Sequence, residues 1–245
     1  AGATTRPMQR RRLLSFCVSV PSLARAQPAE AGVLTRAIPS TGERVPAVGL
    51  GTWLTFDVPL ADAVAVTRRR EVVERFLAGG GRVIDSSPMY GQAEAVLGDV
   101  LPRDDQRLFS ATKVWTPLGA YGPTQMRRSL ALWKRPRVDL MQIHNLLSWR
   151  SHLATLRRWK AEGLTRLIGI TTSHGRDHDL VQRVLETERG IDVMQITYSP
   201  ADRSAEPLLE LAARLGVAVI INRPFDGGEL LSRLSRVPLP PVAAD

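Results

Sequence analysis

Four residues of this sequence have the types and the spacing to move a proton together. Asp85 ends the alternating run V-I-D, and Tyr90 follows five residues later in S-S-P-M-Y-G. Lys113 sits inside the apolar run F-S-A-T-K-V-W, and His144 ends the run D-L-M-Q-I-H. A tyrosine titrates near ~10, too high for fast proton donation at neutral pH. A neighbouring ammonium stabilises phenolate and lowers that pKa, and a carboxylate keeps the ammonium charged and in place. A neutral imidazole can orient the oxygen that receives the proton. Taken singly, each residue has a plainer explanation: a turn acid, a loop aromatic, a lysine snorkelling from a strand end, a hydrogen-bonded core histidine. Lys113 is the most informative of the four. Of the 33 lysines and arginines only Lys113, Lys134 and Lys160 are lysine. Lysine is a compact charge whose pKa can be moved, whereas arginine stays charged in proteins.

The elements around these residues must bring them to one place. S-T-G-E at 40–43 separates the extended stretches 34–39 and 44–48, which predicts a hairpin. Apolar runs at 48–53, 82–86, 108–115, 138–144, 166–172, 192–199 and 217–222 predict strands. Helical spacing at 61–77, 93–101, 124–133, 153–161, 179–187 and 206–215 predicts helices, several of them stopped by Gly or Pro. Strand and helix alternate throughout, and the strands are nearly continuous apolar runs, as when both sheet faces are covered. Asp85, Lys113 and His144 then fall at the C-terminal ends of successive strands. Ligands bind at those ends both in a doubly wound sheet and in a (β/α)8 barrel. The stretch G-L-G-T-W-L at 49–54 lacks the third glycine of a dinucleotide fingerprint and does not lead straight into a helix. The barrel reading lacks a strand: seven are counted before the proline-rich V-P-L-P-P at 237–241.

Composition bounds the function. The chain of 245 residues is 44% hydrophobic and 23% charged, enough for a sizeable globular core. A formal charge of +9 raises a nucleic-acid reading. Five arginines and no acid lie in residues 1–26, so removing that segment lowers +9 by five, to +4. The other arginines interleave with acids, as in R-R-R-E at 68–71, which describes a solvated helix face. No nucleic-acid partner is expected. Residues 8–27 run from Arg10-Arg11-Arg12 through a short apolar stretch to Ala24-Arg25-Ala26, an A-x-A cleavage pattern. The stretch is too short to span a bilayer, and the arginine doublet is similar to a twin-arginine export signal. Residues 1–26 are therefore expected to be an export signal, with the barrel domain at 27–245. The expected location is periplasmic or exported, with a cytoplasmic chain as the alternative. No membrane anchoring is expected after cleavage. Cys17 is the only cysteine, so the processed chain would have neither disulfide nor thiol chemistry.

Six stretches carry a resemblance: V-P-A-V-G-L-G-T-W (45–53), V-I-D-S-S-P-M-Y-G-Q-A-E-A-V-L-G (83–98), A-T-K-V-W (111–115), V-D-L-M-Q-I-H-N (138–145), R-L-I-G-I-T-T-S (166–173) and M-Q-I-T-Y-S-P (194–200). Their order and spacing resemble the aldo-keto reductase superfamily. The resemblance implies a (β/α)8 TIM barrel with an N-terminal β-hairpin cap, acting as a monomer. It implies NADP- or NAD-dependent reduction of an aldehyde or ketone, a small carbonyl substrate. It assigns the catalytic set to Asp85, Tyr90, Lys113 and His144, with Tyr90 the proton donor, Lys113 and Asp85 its tuning pair, and His144 the orienting group. It places cofactor binding at Gly51, Thr52, Thr171, Thr172, Gln195, Asn222 and Arg223, and the substrate pocket at Trp53 and Trp115.

Three departures accompany the resemblance. Thr171-Thr172 stand where the family has Ser-Asn, and Asn222-Arg223 stand where a tyrosine stacks on the nicotinamide. Nothing after Pro224 resembles the family's eighth strand and phosphate-binding loop, so the last βα unit is expected to be missing. The competing function is a non-catalytic barrel of the same kind, a nucleotide-binding sensor or an inactive fragment. Ser173 to Asp179 contains two histidines four apart, but a polar loop opening a helix explains them, and no metal is expected.

Overall fold

The computed structural model describes residues 32–103 and 105–237. The export-signal expectation for residues 1–26 lies outside them. Among the described residues no helix is long and apolar enough to cross a membrane.

The expected hairpin is present: β1 (Thr35–Ala37) pairs antiparallel with β2 (Arg44–Pro46). Ile38, beside β1, joins an interior cluster with Val83, Phe109, Leu140, Leu167 and Val193. Glu43 pairs with Arg166 near the start of a later strand.

Seven strands then form one sheet: β3 (Leu50–Gly51), β4 (Val83–Asp85), β5 (Phe109–Val114), β6 (Val138–Ile143), β7 (Thr165–Thr171), β8 (Val193–Thr197) and β9 (Ala218–Asn222). Their spatial order is their chain order, and every neighbouring pair is parallel. A doubly wound sheet reverses its order at a switch point, so sequential order decides for barrel-type winding. The sheet is also curled. In a flat sheet its outer strands would lie roughly 29 Å apart, six spacings of about 4.8 Å. Yet the Arg223 guanidinium, just after β9, stands 5.9 Å from the ring of Trp53, just after β3. The described strands therefore form a curled parallel half-barrel of seven strands.

Six helices cover the sheet: α1 (Ala63–Ala78), α2 (Ala93–Val100), α3 (Gly122–Trp133), α4 (Trp149–Ala161), α5 (His178–Thr187) and α6 (Glu206–Leu215). Their ends follow local chemistry. The Asp62 carboxylate caps α1 by accepting from the Ala65 N–H at 2.9 Å. Gly216 ends α6 in the left-handed conformation. At Gly98 a side chain would meet the Leu132 carbonyl, so only glycine lets α2 lie this close to α3. A seventh helix, α7 (Glu229–Leu234), escaped the sequence reading. It has six residues, none of them buried, and so lacks a hydrophobic stripe to recognise.

The period of two along each strand sorts side chains to opposite faces. Met141, Ile143, Ile168, Ile170, Met194 and Ile196 point outward into the helices. Val83, Phe109, Ala111, Leu140, Leu167 and Val193 point inward. The same inward parity continues to Asp85, Lys113, Gln142, Thr171, Gln195 and Thr197 near the strand ends.

Candidate active site

Lys113 is the centre of the site. It is wholly buried. Its ammonium donates to Asp85 Oδ2 at 2.6 Å and to the Ser86 carbonyl at 2.8 Å. Burying an ammonium is costly unless it is paired and hydrogen-bonded, and both conditions hold here. The other carboxylate oxygen is also taken: Gln142 Nε2 donates to Asp85 Oδ1 at 2.8 Å. Lys113 and Gln142 are register partners on β5 and β6, so both reach the same acid on β4. Gln142 in turn needs Gly169 on β7, where a Cβ would come within 2.7 Å of its Cγ. The sequence reading missed Gln142. The available signal was its place two residues before His144, on the same strand face, as a polar residue in an apolar run.

Tyr90 folds back over this pair. The Lys113 ammonium lies 5.2 Å from the centre of its ring. His144 meets the same ring edge-on, with centroids 5.8 Å apart and planes at 88°. The structure thus brings together all four residues picked out for proton transfer. One expectation about them changes. Burial pushes the Tyr90 phenol above its ordinary pKa; the Lys113 charge pulls it down and the Asp85 charge pushes it up. The net direction is up because burial outweighs the Lys113 charge, and the sequence shows the ammonium but not the burial. Burial, seconded by the Lys113 charge, lowers His144 from 6.5 to about 3, so its imidazole is neutral at ordinary pH. His144 lies just past the end of β6 rather than in it. It opens a tight turn in which Asn145 and Leu146 adopt positive φ.

The residues expected to hold a cofactor divide into two groups. Gln195 and Thr171 share a hydrogen bond, Thr171 Oγ1 to Gln195 Oε1, at 3.2 Å. The Gln195 amide N–H2 makes no hydrogen bond among the described residues. The Thr172 hydroxyl is buried without any partner. Buried polar groups are ordinarily satisfied, so the bare Thr172 hydroxyl stands out among them. Thr52, Asn222 and Arg223 are differently employed. The Thr52 hydroxyl contacts the Asp85 carbonyl at 3.0 Å and Ser86 Oγ at 2.9 Å, supporting the strand end that carries the acid. The Asn222 carboxamide is used at both ends, donating to the Thr172 carbonyl at 2.9 Å and accepting from Thr197 Oγ1 at 2.6 Å. It ties β7, β8 and β9 together. Arg223 reaches Trp53 and pairs with Asp226 at 3.5 Å. Gly51 ends β3 with open space around it. Trp53 and Trp115 are 42% and 40% exposed, with the Arg223 guanidinium over the Trp53 ring. Among the described residues no group of three or more His, Cys, Asp or Glu could hold a metal ion. His178 opens α5 and Asp177 precedes it with positive φ.

The model of the Aldo/keto reductase family matches residues 47–237. The chain belongs to the aldo-keto reductase family. This is a family of oxidoreductases, and the curled seven-strand parallel half-barrel is consistent with its (β/α)8 barrel. An aldo-keto reductase of Mycobacterium sp. (strain JLS) is 29% identical over 204 residues, spanning 78% of this chain and 68% of that protein. Among solved structures, the holo form of an aldo-keto reductase from Bacillus halodurans superposes with a TM-score of 0.71 at 24% identity, covering 85% of this chain and 71% of that one. The aldo-keto reductase of Klebsiella pneumoniae, in complex with NADPH, gives 0.67 at 23%, covering 80% and 70%. At these identities the two structures speak for the fold.

Proposed function

We propose that this aldo-keto reductase family member reduces a small aldehyde or ketone with NADPH or NADH, and that Tyr90 donates the proton. The observation that carries the reading is the buried Lys113 ammonium, held by Asp85 and lying against the Tyr90 ring, with neutral His144 T-shaped against that ring. The raised Tyr90 pKa keeps the phenol loaded with its proton at neutral pH. When the proton leaves, the phenolate forms beside a fixed cation in a site that excludes most water, where such stabilisation is strongest. Asp85, restrained by Gln142, keeps that cation in place.

The free amide of Gln195 and the unpartnered Thr172 hydroxyl suit a carboxamide, which needs both an acceptor and a donor to meet it. The neighbour solved with NADPH supports the choice of cofactor. Bound there, a reduced nicotinamide supplies the hydride for the carbonyl carbon. His144 orients the carbonyl oxygen toward Tyr90, and Trp53 and Trp115 flank the substrate.

The test separates chemistry from binding. Tyr90→Phe should lower turnover of a small aldehyde by at least about 10²-fold. Its affinity for NADPH, followed through tryptophan fluorescence, should stay close to that of the unsubstituted protein. Unchanged turnover would remove Tyr90 from the mechanism. Failure of NADPH and NADH alike to quench fluorescence at millimolar levels would favour the non-catalytic barrel.

A further inference from the structure

The serine between the acid and the tyrosine has a definite task of its own. Ser87 Oγ lies 2.8 Å from His144 Nδ1. The same oxygen accepts the Met89 backbone N–H at 3.2 Å. Ser87 is wholly buried, and His144 is 5% exposed. A hydroxyl has one hydrogen to donate and two lone pairs to accept with. Two arrangements of the Ser87–His144 contact are conceivable. In one, Nδ1 carries the ring proton and donates it to Oγ. The serine hydrogen then needs an acceptor elsewhere, and among the described residues it has none but His144. A buried O–H without an acceptor is destabilising. In the other, the serine donates to a bare Nδ1, and every polar atom of the contact is satisfied. The neutral ring then carries its proton on Nε2, which is not among the buried unpartnered atoms and so has access to the cavity.

We propose that Ser87 is a positioning residue that holds His144 in the Nε2–H tautomer, so that the histidine offers a hydrogen-bond donor to the substrate's carbonyl oxygen. The role of that donor rests on the reductase reading above; the tautomer itself does not. With the proton on Nδ1, Nε2 would present a lone pair to another lone pair and repel the substrate it should orient. The neutrality of His144 makes the choice consequential, since a doubly protonated ring would donate from both nitrogens.

Nitrogen-15 NMR of the histidine-labelled protein reads the tautomer directly. The chain has four histidines, and His144→Gln assigns the signal. The expected pattern is a pyrrole-like Nε2 and a pyridine-like, hydrogen-bonded Nδ1 in the unsubstituted protein. A pyrrole-like Nδ1 would overturn the proposal, whatever the kinetics. In Ser87→Ala the signal should move toward a tautomer mixture. In that variant kcat/KM for a small aldehyde should fall about three- to tenfold with the NADPH Kd unchanged. Ser87→Cys, a weaker donor of similar size, should lie between. An unaltered tautomer and rate in Ser87→Ala would also overturn it. Absence of any carbonyl reduction in the unsubstituted protein would sink the reductase reading but leave the tautomer measurement intact.

Discussion

At the scale of single residues, the site is organised around one carboxylate with both oxygens engaged. Asp85 accepts from Lys113 on one side and Gln142 on the other. Removing its charge strands an ammonium that has no exposure to water. Breaking a buried pair from one side costs about 3–5 kcal/mol. Asp85→Asn keeps the shape, so a stability loss of about 3 kcal/mol at neutral pH is expected in urea denaturation. A change below about 0.5 kcal/mol would mean that Ser86 and Tyr90 hold Lys113 without a countercharge. Lys113 could be picked from the sequence because a lysine in an apolar strand is conspicuous. Gln142 carried only the weaker signal of a polar residue in an apolar run and Ser87 none, because uncharged polar residues stand in strands and turns for many reasons. Their hydrogen bonds, not their types, give them their tasks.

At the scale of elements, the strand carrying Lys113 is locked from outside by α2. Glu94, in the first turn of that helix, is 2% exposed. Its carboxylate accepts from Thr112 at 2.6 Å, Trp133 at 3.1 Å and Ser129 at 3.0 Å, joining α2, β5 and α3. Burial pushes its carboxyl above the ordinary range, and these hydrogen bonds pull it back. Thr112 is the outward neighbour of inward Lys113, so fixing one fixes the other. Glu94→Leu leaves three donors unpaired at roughly 1–3 kcal/mol each, and a loss of at least about 3 kcal/mol is expected. Guanidinium denaturation followed by tryptophan fluorescence checks this, since Trp133 reports on the contact directly. A glutamate in a first helical turn is ordinarily a solvated partner of the helix dipole. Only the packing of α2 against α3 at Gly98 turns it inward.

At the scale of the whole molecule, the buried histidine couples stability to pH. His144 has a pKa of about 3 in the fold, against 6.5 ordinarily. Between those values the unfolded chain holds a proton that the folded chain does not. The unfolded state is therefore favoured as pH falls, and stability is lost progressively through that window. His144→Gln removes this contribution. The stability advantage of the unsubstituted protein over the variant should shrink, or reverse, as pH is lowered from about 7 to about 4. A constant difference across that range would place His144 in contact with water. Denaturation midpoints at several pH values decide it.

The alternation of strands and helices, the C-terminal placement of Asp85, Lys113 and His144, and the family were all legible in the sequence. Period-two and helical apolar patterns, with their glycine and proline stops, are local properties, and chemistry-bearing residues at strand ends follow from them. Sequential winding and the curl that brings Arg223 over Trp53 were decided by the tertiary structure, the winding by pairings between successive strands and the curl by a contact between residues 170 positions apart. The same holds for the direction of the Tyr90 shift and for the uses of Thr52, Asn222 and Ser87. A side chain's type states what it can donate or accept. Burial and the neighbours that the fold supplies determine which of those capacities is already taken and which is left for a ligand.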